Sequence, residues 1–82
     1  MTQEAIVEID LHGKNTYQAR VAIDAALRKK SRGAYRIRLI HGWNCGTALR
    51  DFIWDNYEDH PNVVRIVQGT NAGITELVLR EF

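Results

Sequence analysis

Two short stretches of this chain carry residues that could do acid–base chemistry. The first is Asp10-Leu11-His12-Gly13, the second His41-Gly42. Histidine titrates near neutral pH and can both take and give a proton. A carboxylate two residues away can orient it. Glycine after each histidine lets the backbone turn sharply and lets a ligand come close. If both stretches end neighbouring strands, Asp10, His12 and His41 converge on one rim. Gly46 and Thr47 then lead into a helix whose first-turn N–H groups face that rim, a ready phosphate site. Two imidazoles and a carboxylate beside a phosphate site point to phosphodiester cleavage, with Asp10, His12 and His41 as the catalytic candidates. The same three residues could instead hold one divalent metal ion. No tighter ligand motif such as His-Glu-x-x-His accompanies them. Each residue singly also has a plain structural role available, the Asp capping a loop and a His bonding a neighbouring carbonyl.

Several nearby residues add to the rim. Trp43 offers either a stacking surface for a base or a lid over the following helix. Cys45 precedes a helix N-terminus, which lowers a thiol pKa, yet a phosphate site gives a thiolate no acyl group to attack. Arg50, in the first helical turn, is the best placed phosphate clamp. His60 precedes Pro61 in a turn and reads as structural.

The elements that must position these groups follow from periodicity. Residues 5–11 are short, apolar and β-branched, a buried strand. Asn15 and Gln18 have the spacing of a helix cap and its return partner. Ala19, Ala22, Ile23, Ala26 and Leu27 recur at helical spacing, predicting a helix over 16–31 with Gly33 as its stop. Residues 35–41 alternate Tyr35, Ile37 and Leu39 with Arg36 and Arg38, a strand with one solvated face. Thr47 is the expected N-cap of a second helix, with Leu49, Phe52, Ile53 and Tyr57 on its apolar side and an end near Asp59. Strands follow over 63–68 and 75–81, separated by the turn Gly69 to Gly73. The order is β-α-β-α-β-β, an α/β (α+β) two-layer sandwich with a four-stranded mixed sheet. Right-handed crossovers to neighbouring strands would leave both helices on one face. The short last link makes the final strand antiparallel to the third.

Bulk properties restrict the function classes. At 82 residues, with no repeat or linker, residues 1–82 read as a single domain with its core over about 5–82. No apolar run is long enough for a membrane span, and no basic and apolar leader stands at the N-terminus. One cysteine excludes an internal disulfide framework and points to the reducing cytoplasm. Net charge is only +1, but residues 1–41 carry eight Lys/Arg against four Asp/Glu, and residues 42–82 three against six. Arg28, Lys29, Lys30, Arg32, Arg36 and Arg38 fall within eleven residues without an acid, a candidate phosphate-binding patch or a solvated helix end.

Ile9-Asp10-Leu11-His12-Gly13 resembles the Leu-Asp-Leu-His-Gly signature of the Smr (small MutS-related) domain. Ile40-His41-Gly42 through Gly46, with Thr47-Ala48-Leu49-Arg50, resembles its His-Gly-x-Gly motif and the Leu-Arg that follows. Gly69-Thr70-Asn71-Ala72-Gly73-Ile74-Thr75 resembles the turn before its last strand. The likeness covers roughly residues 5–82 and is to the stand-alone form. It implies a fold similar to the C-terminal domain of translation initiation factor three. It implies endonuclease or nickase activity on DNA or RNA. Family activity is tied to the positions of Asp10, His12 and Gly13, and of His41, Gly42 and Gly46. Asn44 stands where the family carries its second glycine. Gly13, Gly42, Trp43, Asn44, Gly46 and Arg50, with the cations Arg28, Lys29, Lys30, Arg36 and Arg38, are then the candidate nucleic-acid contacts. The expected partner is nucleic acid, with the ribosome as a further one, no membrane, and a monomer or weak homodimer through a free sheet edge. The alternative is a binding module that holds DNA, RNA or a ribosome without cutting.

Overall fold

A computed structural model describes residues 6–29, 35–42 and 47–80. The elements run β1 (Ile6–Asp10), α1 (Thr16–Lys29), β2 (Arg36–Ile40), α2 (Ala48–Tyr57), β3 (Arg65–Gln68) and β4 (Ile74–Val78). This is the order expected from the sequence, in a four-stranded sheet.

Alternation assigns the two sheet faces. Leu11 of the β1 end, Ile37 and Leu39 of β2, and Leu77 of β4 point to one side and are buried there. Ala19, Ile23 and Leu27 of α1 and Ile53 and Tyr57 of α2 join the same cluster. Both helices therefore cover this one face. The small Ala19 lets α1 sit close to the strands. Asp24 accepts a hydrogen bond from the Tyr57 hydroxyl at 2.6 Å, tying the helices together. Burial, and then that bond, push the Tyr57 phenol well above its ordinary pKa.

The strand order is β1-β2-β4-β3. β1 and β2 are parallel, and β4 runs antiparallel to both β2 and β3. The antiparallel β3–β4 pair was expected. The second crossover, however, does not reach the neighbouring position, because β4 inserts between β2 and β3. Burial explains the placement. Thr75, Glu76, Leu77 and Val78 are all buried, so β4 needs a neighbour on each side. In β3, Arg65 and Gln68 are exposed, which suits an edge.

Local chemistry sets the start of α1. Gln18 N donates to Asn15 Oδ1 at 2.8 Å, and Asn15 N donates back to Gln18 Oε1 at 3.0 Å. Two of the spare donors at the helix start are thereby satisfied. Asn15→Ala is expected to cost about 1 kcal/mol, read as a shifted urea midpoint with an unchanged slope. The start of α2 differs from expectation. Thr47 occupies the cap position, but its φ of −112° and ψ of 12° leave no side-chain cap bond. Its hydroxyl donates instead to Asp51 Oδ2 at 3.0 Å.

No helix among the described residues is long and apolar enough to cross a membrane.

Candidate functional site

The rim at the ends of β1 and β2 is built by three chain segments. Pairing continues one residue past β1, where Leu11 N donates to Ile40 O at 2.7 Å. Chain reversal at Gly13 and at Gly42 uses φ values of 81° and 77°, which only glycine adopts without strain. The β3–β4 turn closes the rim, since Gly73 O accepts from both His41 N and Gly42 N at 2.9 Å. Gly42 also borders His12, for a Cβ placed on it would stand 3.9 Å from His12 Cβ.

Asp10 and His12 form one unit on this rim. His12 Nδ1 donates to Asp10 Oδ1 at 2.6 Å, and His12 N donates to the same oxygen at 3.1 Å. A carboxylate only accepts, so Nδ1 carries the proton and Nε2 is left as the basic nitrogen. The hydrogen bond from the His12 ring, followed by that from its N–H, holds the Asp10 carboxyl below its ordinary range. Both side chains are well exposed, His12 at 72%. Nε2 has no hydrogen-bond partner among the described residues, so a substrate can reach it.

His41 differs in every respect. It follows Ile37 and Leu39 in the alternation and turns inward, with only 8% of its surface exposed. Its Nδ1 donates to Gly42 O at 2.9 Å, and Thr75 Oγ1 donates to its Nε2 at 2.9 Å. Gly42 O can only accept, which places the proton on Nδ1 and makes Nε2 the acceptor. Trp54 Nε1 donates in turn to Thr75 Oγ1 at 3.4 Å. Trp54, Thr75, His41 and Gly42 O thus form one hydrogen-bonded chain with no free imidazole nitrogen. The rim brings together Asp10, His12, Gly13 and Gly42, while the His41 ring lies behind it. This geometry assigns His41 to holding the turn. His41→Phe is expected to cost about 2 kcal/mol, because the Thr75 hydroxyl and Gly42 O lose their partner, and calorimetric melting checks it.

Metal ligation by Asp10, His12 and His41 together does not fit this arrangement. Both His41 nitrogens are committed, and no group of three His, Cys, Asp or Glu donors is assembled among the described residues.

The expected cations separate into three places. Arg36 Nη1 and Arg38 Nε both donate to the Glu76 carboxylate, Arg38 at 2.9 Å, and Arg38 also lies 3.6 Å from Glu8. They stand on the sheet face away from the helices, and their two charges are offset by two acids, buried Glu76 between them and exposed Glu8 beside Arg38. Burial by itself would push the Glu76 carboxyl up; the hydrogen bonds from Arg36 and then Arg38 outweigh it and hold the group below its ordinary range. Arg28 is exposed near the end of α1, about 18 Å along the helix from Thr16 at the rim. It lines a groove between α1 and α2, not the rim. Arg50 does lie at the rim side, in the first turn of α2, with Nη2 3.4 Å from Asp51 Oδ1. Lys30, Trp43, Asn44, Cys45 and Gly46 lie outside the described residues, as does the Lys29 side chain. His60 is structural as expected: its Nδ1 accepts from Asn62 N at 3.0 Å and its ring stacks on Tyr57.

Sequence reasoning missed three residues. Thr75 and Trp54 complete the His41 chain, and Glu76 gathers the two arginines. Only Glu76 left a readable trace, as a single acid within the otherwise uncharged run Ile74-Thr75-Glu76-Leu77-Val78, a strand that could pair with Arg36-Ile37-Arg38.

A two-layer α/β sandwich with an exposed Asp–His pair at its glycine-lined rim defines the class. The Smr domain model matches residues 9–80, and the chain belongs to the Smr domain family. The crystal structure of the Smr domain of Thermus thermophilus MutS2 superposes with a TM-score of 0.81. It is 28% identical, and the match covers 92% of this chain and 99% of that one. No curated protein matches the chain.

Proposed function

We propose that this domain cleaves phosphodiester bonds in nucleic acid, with His12 as the proton-transfer residue. The observation that carries the reading is the 2.6 Å bond from His12 Nδ1 to Asp10 Oδ1 on an open rim. It presents Nε2 outward as a base and leaves a carboxylate behind the ring to stabilise the imidazolium that forms. Nε2 removes the proton of the attacking hydroxyl, the 2′-hydroxyl in RNA or water in DNA. The attacking oxygen bonds to phosphorus as the bond to the leaving oxygen breaks. That oxygen takes a proton from water at the exposed rim, and the hydroxide so formed takes the proton from the His12 imidazolium, restoring the base. Gly13 and Gly42 lend close backbone approach, and Lys14, next along the chain from Gly13 and near enough for its charge to help hold the Asp10 carboxyl below its ordinary range, lends a cation. A single oriented base suits RNA best, because the 2′-hydroxyl is already tethered beside the phosphorus.

The second reading is binding without cleavage. The closed hydrogen bonding of His41 favours it, since the rim then holds one imidazole and not two. End-labelled RNA and its 2′-deoxy counterpart, single-stranded and duplex, incubated with and without EDTA, separate the two. Products from the unaltered protein that disappear with His12→Ala establish cleavage. Retention on a gel with intact oligonucleotide establishes the binding module.

A further inference from the structure

A second feature opens on the same side of the molecule. A cleft of about 310 Å³ lies between the start of α2 and the β3–β4 pair, lined by Arg50, Asp51, Trp54, Gln68 and Thr75. Its volume is at the small end of the ligand-pocket range. Thr75 and Trp54 belong to the hydrogen-bond chain that ends at Gly42 O. Two hydrogen bonds and the width of one imidazole therefore separate the cleft from the Gly42 turn beside His12.

The lining is chemically mixed. Arg50 supplies guanidinium donors and Asp51 carboxylate acceptors. Asp51 Oδ1 and Oδ2 each accept one internal bond, from Arg50 and Thr47, and each retains a further lone pair. Gln68 is exposed, pairs in register with Thr75, and its side-chain amide has no hydrogen-bond partner among the described residues. Positive and negative charge are balanced here, which suits a base edge better than a phosphate. Guanine is the base that complements the set. Its O6 and N7 accept from a guanidinium, and its N1–H and N2–H₂ can donate to a carboxylate or an amide oxygen.

We infer that this cleft is a nucleobase subsite, taking one unstacked guanine adjacent to the phosphate presented to His12. The inference rests on the nucleic-acid reading above and adds a base preference to it. Gln68 and Asp51 are its specificity residues.

Titration of the protein with GMP, AMP, CMP, UMP and ribose 5-phosphate tests it, followed by the indole N–H resonance of Trp54, assigned through Trp54→Phe. GMP is expected to shift that resonance and to bind tightest. Gln68→Ala, a change at an exposed side chain, is expected to weaken GMP about tenfold while leaving ribose 5-phosphate unchanged. GMP binding no tighter than the other nucleotides, or no nucleotide binding tighter than ribose 5-phosphate, overturns the subsite. Oligonucleotide retention is run in parallel to keep the two readings apart. Retention without a guanine preference removes the subsite alone. Failure of the unaltered protein to retain or cut any oligonucleotide removes the nucleic-acid reading beneath it.

Discussion

His12→Ala is expected to lower the rate of oligonucleotide cleavage by about 10²- to 10⁴-fold, the ordinary contribution of a positioned acid–base group. The loss should appear in kcat with little change in retention on a gel, because Nε2 acts on the proton of the nucleophile and not on the resting phosphate. Asp10→Asn is the companion variant. Its amide oxygen can still accept from Nδ1, but the negative charge that steadies the imidazolium is gone, so a fall in the same direction is expected. Both side chains are exposed, at 72% and 61%. Neither change should alter stability by more than about 0.5 kcal/mol. Urea denaturation alongside the assay therefore separates lost chemistry from lost fold. Undiminished cleavage by His12→Ala, at a rate above a buffer control, would remove the residue from the mechanism.

The largest effect on stability is expected at Glu76. The residue is 4% exposed, and its carboxylate takes hydrogen bonds from two guanidinium groups. Glu76→Ala would leave Arg36 and Arg38 crowded together with only the exposed Glu8, beside Arg38, as counter-charge, on a face where the Arg36 Nε is already buried without a hydrogen-bond partner. Removing one partner of a buried pair costs about 3–5 kcal/mol. The arginine side chains are 29% and 30% exposed, so water relieves part of this, and about 2–3 kcal/mol is expected. The folded-state pKa of Glu76 lies below its ordinary value of 4.5. Its contribution is then complete above that value and is lost as pH falls through the folded-state pKa. The unaltered protein should lose stability on acidification below about pH 4.5, and Glu76→Gln should flatten that part of the profile. Urea midpoints across pH 3 to 7 provide the check. A Glu76→Gln protein with the same midpoint and the same acid limb as the unaltered one would show that the two arginines do not depend on this charge.

The arginine pair also changes what the basic cluster means. Six cations in eleven residues look like one patch along the chain. In three dimensions Arg36 and Arg38 are neutralised on the open sheet face, and Arg28 sits toward the far end of α1 from the rim. Charge density along a sequence measures a surface field only when the acids that fold against it are counted too.

Much of the architecture was legible because it is local. Apolar spacing in residues 16–27 and 49–57, the alternation in 35–41, and the Asn15–Gln18 cap each reflect periods of the backbone itself, and the structure follows all of them. The Asp10–His12 pair was legible for the same reason, since two residues at a strand end reach each other without help from any other element. Whatever depends on a distant strand was not legible. Alternation places His41 on the helix side of the sheet, but its partner Thr75 lies 34 residues away, and the pairing arises only because β4 runs beside β2. The same insertion puts Glu76 between Arg36 and Arg38 and opens the Gln68–Thr75 cleft. The sequence by itself determined which elements form, which faces are apolar and where an Asp–His pair would stand. The tertiary structure decided the rest, choosing the central strand by its burial on both faces and, with it, which histidine faces solvent and which arginines carry free charge.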